Sequence, residues 1–172
     1  MRTRVAALLM ATLALAGCGY HAVGHASRLP QTVKVMAVPT FINQTQTYRI
    51  EQRLTEDVIR ELIARTNYQV VPTERESADA ILKGTVLSAQ AAPLTYDAQT
   101  GRISSAVVTV TMKVSLVDRS GRVLFENQNY AFREQYQVSR EVTSFFEEGT
   151  PALQRLSRDF ARTLVSDIME GF

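Results

Sequence analysis

Few side chains in this 172-residue chain are of types that do chemistry, and the most telling is its one cysteine. Cys18 follows Leu15-Ala16-Gly17, which closes a short apolar run from Val5 to Ala16 that itself follows Arg2 and Arg4. A basic start, an apolar middle and small residues at the end make an export signal cut just before the cysteine. Cleavage there leaves a thiol on the first residue of the mature chain, and the common use of such a thiol is a thioether bond to lipid. Residues 1–17 are therefore read as a lipoprotein signal, Leu15-Ala16-Gly17-Cys18 as its lipobox, and Cys18 as the lipidation site carrying palmitate-class acyl chains. An uncleaved anchor fits poorly, because a membrane-spanning helix needs ~20 apolar residues. A lone cysteine also permits no internal disulfide.

Other candidate groups are sparse. His21 and His25 have the i, i+4 spacing of metal ligands on a helix, but they lie in a glycine-containing tether with no third ligand nearby. No serine sits in a G-x-S-x-G setting, and no glycine cluster forms a phosphate loop. Glu147-Glu148 are adjacent carboxylates in a polar stretch, a pattern typical of solvated surface. With no histidine in the body of the chain, the expectation is no enzyme, no catalytic residue, no metal and no cofactor beyond the covalent lipid. Without Arg2 and Arg4 the basic side chains fall from 19 to equal the 17 acidic ones, so the apparent charge of +2 disappears. That balance argues against nucleic acid as a partner.

Three lysines against fourteen arginines remain after cleavage. Arginine's planar fork suits bidentate phosphate contacts, although a genome rich in arginine codons gives the same preference. Position is more informative than number. Arg102 lies beside Gly101 at the edge of a strand connection, and Arg140 lies in the loop after the last strand. Arg119 and Arg122 flank a hairpin turn at the opposite end of the same strands.

The elements that hold these residues follow from periodicity. Residues 18–30 form a lipidated tether, and 31–172 form one domain. The apolar Thr32–Phe41 suits an interior strand with parallel neighbours, ending near Pro39. Ile50, Leu54, Val58 and Leu62 make the apolar stripe of a helix, with Thr47 as its cap and Asn67 at its end. Tyr68–Val71 reads as a strand closing a βαβ unit, and Ala80–Ala89 as the next strand. Ala91–Gly101 reads as a loop. Val108 to Leu116 alternate strictly with polar residues, and Asp118–Gly121 turn the chain back into a strand with a bulge near Asn127–Asn129. Gln137–Gly149 resembles a loop in which Phe145 and Phe146 cover the core edge or reach a partner. Thr150-Pro151 resembles a helix start. The sum is an α+β two-layer sandwich, two helices on one face of a mixed four- to five-stranded sheet.

Cys18-Gly19-Tyr20-His21, Val33–Asn43 (VKVMAVPTFIN), Ala78–Gly84 (ADAILKG) and the closing hairpin and helix together resemble the LptE family of lipopolysaccharide-assembly lipoproteins. The resemblance spans the mature chain and implies a sandwich that plugs the lumen of the LptD β-barrel. It implies help in assembling that barrel and in inserting lipopolysaccharide into the outer leaflet. It also implies outer-membrane anchoring through the lipid, with a body facing the periplasm and inserted in the barrel. Gly19 is not the aspartate associated with inner-membrane retention. The basic loops implicated in lipid binding in this family match Arg102 and, more loosely, Arg140. The competing expectation is a periplasm-facing lipoprotein that activates a cell-wall synthase or serves a secretion channel. Such proteins share the P-x-F-x-N strand end, but carry a longer linker or an extra membrane-inserting segment.

Overall fold

The computed structural model describes residues 29, 30, 32–74, 77–138 and 145–170, with side chains from 151 onward in the last stretch. The elements are β1 (Val35–Ala37), β2 (Ile42–Asn43), α1 (Ile50–Arg65), β3 (Gln69–Val71), β4 (Ala80–Tyr96), β5 (Ile103–Asp118), β6 (Val123–Gln137) and α2 (Phe145–Glu170). All six strands form one mixed sheet in the order β3-β1-β4-β5-β6, with β2 pairing β4 beside that path. The fold is α+β as the periodicity implies, with slightly more strands than expected because the first apolar run divides. Pro39 interrupts it: β1 ends at Ala37, and pairing resumes only at Ile42.

The central apolar strand does have parallel neighbours. β1 lies between β3 and β4, parallel to both, and Met36, Ala37 and Val38 are fully buried. β4, β5 and β6 continue as an antiparallel meander. On β5 the apolar partners of the alternation, Val108, Val110, Met112, Val114 and Leu116, face the helices and are buried. Ile50, Leu54, Val58 and Leu62 of α1 meet them, as do Leu156, Phe160, Leu164 and Ile168 of α2. Each large side chain so buried contributes about 1.5–3 kcal/mol. The helices are also tied to each other: Ser157 donates to the buried Asp57 carboxylate, and Arg65 donates to Ser166 Oγ at 2.9 Å.

The bulge falls where the phase of β6 changes. Met112 pairs with Tyr130, but Val114 pairs with Asn127, so β6 carries one extra residue between them. The displaced Tyr130 packs on Phe132 and Phe160, and its hydroxyl donates to Asp167 of α2. Burial and that acidic neighbour push the phenol well above its usual range.

Four local expectations are corrected. Ala91–Gly101 is not a loop, because β5 supplies a ladder partner as far as Tyr96 opposite Ile103. Pro93 is tolerated there because β4 has no strand among the described residues on its other side. The second helix begins at Phe145, within the stretch expected to be loop, so Thr150-Pro151 does not start it. Proline's fixed φ matches a helix already under way, at the cost of one backbone hydrogen bond. Asn67 is not left-handed, since α1 ends at an extended Thr66 whose N–H bonds Leu62 C=O.

Thr47 does not cap α1 either. Asn43 organises that turn: its Nδ2 donates to Thr47 C=O and Glu51 Oε2, while its Oδ1 accepts from Thr45 N–H and Oγ1, all at 2.8–2.9 Å. The helix then enters through Arg49 at φ 55°, a left-handed conformation, with no side-chain cap.

Phe41 joins the layers. Its ring lies over Gly84 of β4, where an added Cβ would meet ring carbons at 2.7 Å. Its N–H donates to Thr55 Oγ1 of α1 at 3.0 Å, and its ring meets Phe160 of α2 edge-on at 6.4 Å. Gly84→Ala should therefore destabilise the domain by about 1–3 kcal/mol, read as a lowered urea midpoint. An unchanged midpoint would mean that the ring moves aside freely and is not a fixed joint.

Candidate functional site

The two long hairpins place Arg102 at one end of the sheet and Arg119 and Arg122 at the other. β5 is 16 residues long, which at ~3.3 Å per residue separates its ends by roughly 50 Å. At one end, residues 118–122 link β5 to β6. There the Asp118 carboxylate accepts from Ser120 N–H and Oγ and from Arg122 N–H, and Arg122 Nε lies 3.1 Å from its second oxygen. Arg119 lies 3.9 Å from Asp79, whose carboxylate also accepts the N–H groups of Lys34 and Val35 at 2.9 Å. Both cations at this end face carboxylates of their own fold.

The opposite end is built differently. Asp97 N–H donates to Arg102 C=O and Gly101 N–H to Asp97 C=O, each at 2.8 Å, closing a tight connection with Gly101 at φ 66°. The Asp97 carboxylate accepts from Gln99 N–H, Thr100 N–H and Thr100 Oγ1. It is thus engaged in holding the turn. Arg102 projects beside it, exposed, with no ion pair among the described residues. A glycine with positive φ supplies the reversal that puts this cation at the tip. Chemically, the tip offers a guanidinium fork with free donors, suited to phosphate or carboxylate.

The adjoining end of the hairpin carries exposed apolar side chains that sequence reasoning did not group. Tyr96 pairs directly with Ile103, and they are 60% and 37% exposed, while Leu94 is 50% exposed. Reading 91–101 as loop hid them. The alternation of Leu94 and Tyr96 was the available signal. Thr95 Oγ1 bridges to the Ser104 and Ser105 hydroxyls at 2.7 and 2.6 Å and stiffens this outer rung.

Of the other expected site residues, Cys18 and Arg140 lie outside the described residues, as do His21 and His25. Of the two arginines expected to meet phosphate, Arg102 alone is among the described residues. The last described residue before Arg140 is nonetheless at the same end: Val138 N–H bonds Ser104 C=O at 3.0 Å. Phe145 and Phe146 fall in the first turn of α2, not in a loop, and their side chains are outside the description. Among the described residues no cluster of three metal-ligating side chains occurs, and no helix is long and apolar enough to cross a membrane.

The face of the sheet away from the helices is broad and polar. Lys83 and Thr85 of β4 lie beside Ser115 and Lys113 of β5, and Thr109 and Thr111 lie beside Arg133 and Ala131 of β6. An antiparallel meander with one wet face and a helix pair on the other defines a two-layer α+β sandwich. The LptE family model, described as lipopolysaccharide-assembly, matches residues 33–168, and the chain belongs to that family. Its role is accordingly in lipopolysaccharide assembly.

Solved structures share the fold at low identity. An uncharacterized lipoprotein B from Nitrosomonas europaea aligns with a TM-score of 0.57 and 14% identity, covering 88% of this chain and 90% of that one. A putative lipoprotein from Caulobacter crescentus gives 0.55 and 13%, covering 77% and 88%. A minor lipoprotein from Acinetobacter baumannii gives 0.52 and 15%, covering 83% and 95%. A search of curated protein sequences finds no match.

The paired end of the sheet sets an acid sensitivity. Asp79 is held below the ordinary aspartate value of 3.8 chiefly by the Val35 and Lys34 N–H groups, and Asp118 chiefly by the Ser120 hydroxyl. A carboxylate whose folded pKa is depressed stabilises the fold above its unfolded value, and this is lost as pH falls through the folded one. The contribution of these two carboxylates should therefore be constant above about pH 5 and fall below pH 4. The paired Asp79→Asn and Asp118→Asn variant should show a shallower fall in urea titrations across that window.

Proposed function

We propose that this chain is a lipid-anchored outer-membrane protein that plugs the LptD barrel, aids its assembly and helps pass lipopolysaccharide to the outer leaflet. The observation that carries this reading is the wide polar sheet face left uncovered opposite the helices, in a member of a lipopolysaccharide-assembly family. A polar lumen is matched by the hydroxyls of Thr85, Thr109, Thr111 and Ser115, with Lys83, Lys113 and Arg133 set among them and Glu126 opposite Ser115, a surface able to form hydrogen bonds. The lipobox at Cys18 supplies the anchor, each buried CH₂ contributing ~0.8 kcal/mol. The protein acts by binding and shaping, with no catalytic step and no cofactor besides its lipid. The body faces the periplasm and enters the barrel lumen.

Arg102 is assigned to the lipid phosphates, with Arg140 as its companion in the neighbouring segment. The support for Arg102 is the contrast between the ends of the sheet: Arg119 and Arg122 face carboxylates, whereas Arg102 is held out at a tip beside apolar side chains. An amphiphile with an anionic head and acyl chains has that same pairing of properties.

The complex is tested by tagging Phe172, expressing the lipidated chain in its own envelope and purifying it in mild detergent. A near-stoichiometric large barrel that survives high salt is the expected companion. A cell-wall synthase, or a ring of the same chain, would replace this reading with the competing one. For the lipid, replacing Arg102 and Arg140 with glutamate should weaken lipopolysaccharide binding by about tenfold per lost charge-assisted contact, with circular dichroism unchanged. Unaltered binding would remove both arginines from the mechanism.

A further inference from the structure

The sheet has three kinds of edge, and they are protected from pairing to different degrees. β3 is three residues long. β6 is long, but it is bulged between Asn127 and Tyr130 and carries Glu126, Arg133 and Glu134. Short strands, bulges and charges are the usual means by which edges are kept from pairing with other chains. β4 differs. β2 pairs with it only at Thr85 and Val86, and from Leu87 to Tyr96 no strand among the described residues lies on that side. Those ten residues, LSAQAAPLTY, contain no charge. Ile42 of β2 and Leu87, where the uncovered stretch begins, are 61% and 41% exposed.

We infer that Leu87–Ala92 of β4 is a strand-addition site, and that its occupant is an extended, uncharged segment of the barrel partner. This rests on the barrel reading above and names its contact surface. The edge is continuous with one the fold already uses, since β2 docks in parallel immediately before it. Backbone N–H and C=O groups supply the affinity in such pairing, and small neighbours such as Ala89, Ala91 and Ala92 let another backbone approach. An uncharged edge takes an uncharged strand, because a facing charge would be desolvated without a partner. A second copy of this chain fits less well. It would bring its own Pro93, leaving two gaps in the shared ladder where a proline-free strand leaves one.

Pro93 also shows how to test the edge without breaking the sheet. The β4–β5 register is continuous from Ser88 to Pro93, so Ala91 has the same parity as Pro93, and its N–H points away from β5. Ala91→Pro thus removes an outward donor and spares the ladder to β5. Ala91→Lys keeps the backbone and adds a charge to the edge, and it serves if the proline variant misfolds. Each should lower recovery of the barrel with the tagged full chain by about tenfold, with circular dichroism intact. Hydrogen–deuterium exchange of the wild-type chain, alone and in the barrel complex, should show protection gained across Leu87–Ala92.

Wild-type recovery of the barrel with unchanged exchange at Leu87–Ala92, or with both folded variants binding normally, overturns the edge while leaving the plug reading intact. Absence of any barrel with the wild-type chain overturns both. Protection of this stretch in a homodimer without barrel assigns the edge to a second copy and overturns the partner named here.

Discussion

The seating of Phe41 on Gly84 is the contact on which the two-layer arrangement depends. The chain leaves β1, passes Pro39 and must return to the sheet before starting α1. It does so by laying an aromatic ring on a residue without a side chain, so that β2 can come down beside β4. The same residue donates its N–H to Thr55 and presents its ring edge to Phe160, which fixes both helices relative to the strands. Any side chain at position 84 would lift that ring and open the space between the layers. Phe132 and Tyr130 then fill the other sides of Phe160, extending the aromatic contact to the bulged strand.

From this joint the long meander extends well past the body of the fold. Its near half is sandwiched against α1 and α2, and its far half carries β4 beyond the cover of β2. The two ends diverge in electrostatic character for a local reason. Asp118 and Asp79 sit where they both satisfy backbone donors and face Arg119 and Arg122, so that end is internally neutralised. Asp97 spends its carboxylate on its own turn, which holds Arg102 in position without neutralising it.

Structural kinship at 13–15% identity is consistent with these contacts. What has to be preserved is a pattern: an apolar strand ending in a turn, two amphipathic helices and a meander that alternates. Many side chains satisfy a half-buried position, so sequences drift while the layers persist.

Periodicity alone settled the helices' apolar stripes, the alternation of β5, the bulge in β6 and the α+β class, because burial on one face leaves a trace in residue order. It also placed Arg102 at a strand connection, since a glycine able to reverse the chain precedes it. The local pattern of residues 1–18 argues for a lipidated cysteine without reference to any fold. Tertiary structure decided the rest. Whether 91–96 is loop or strand depended on its pairing with 103–108 of β5, which the residue types of 91–96 do not by themselves report. The start of α2 lay hidden because Thr-Pro satisfies a helix beginning and a helix in progress alike. Asn43's part in the first turn depends on Glu51, eight residues on at the start of α1. That Arg119 and Arg122 are neutralised while Arg102 is not is a fact about distances between residues up to forty positions apart. Such distances are set by packing, and residue order does not carry them.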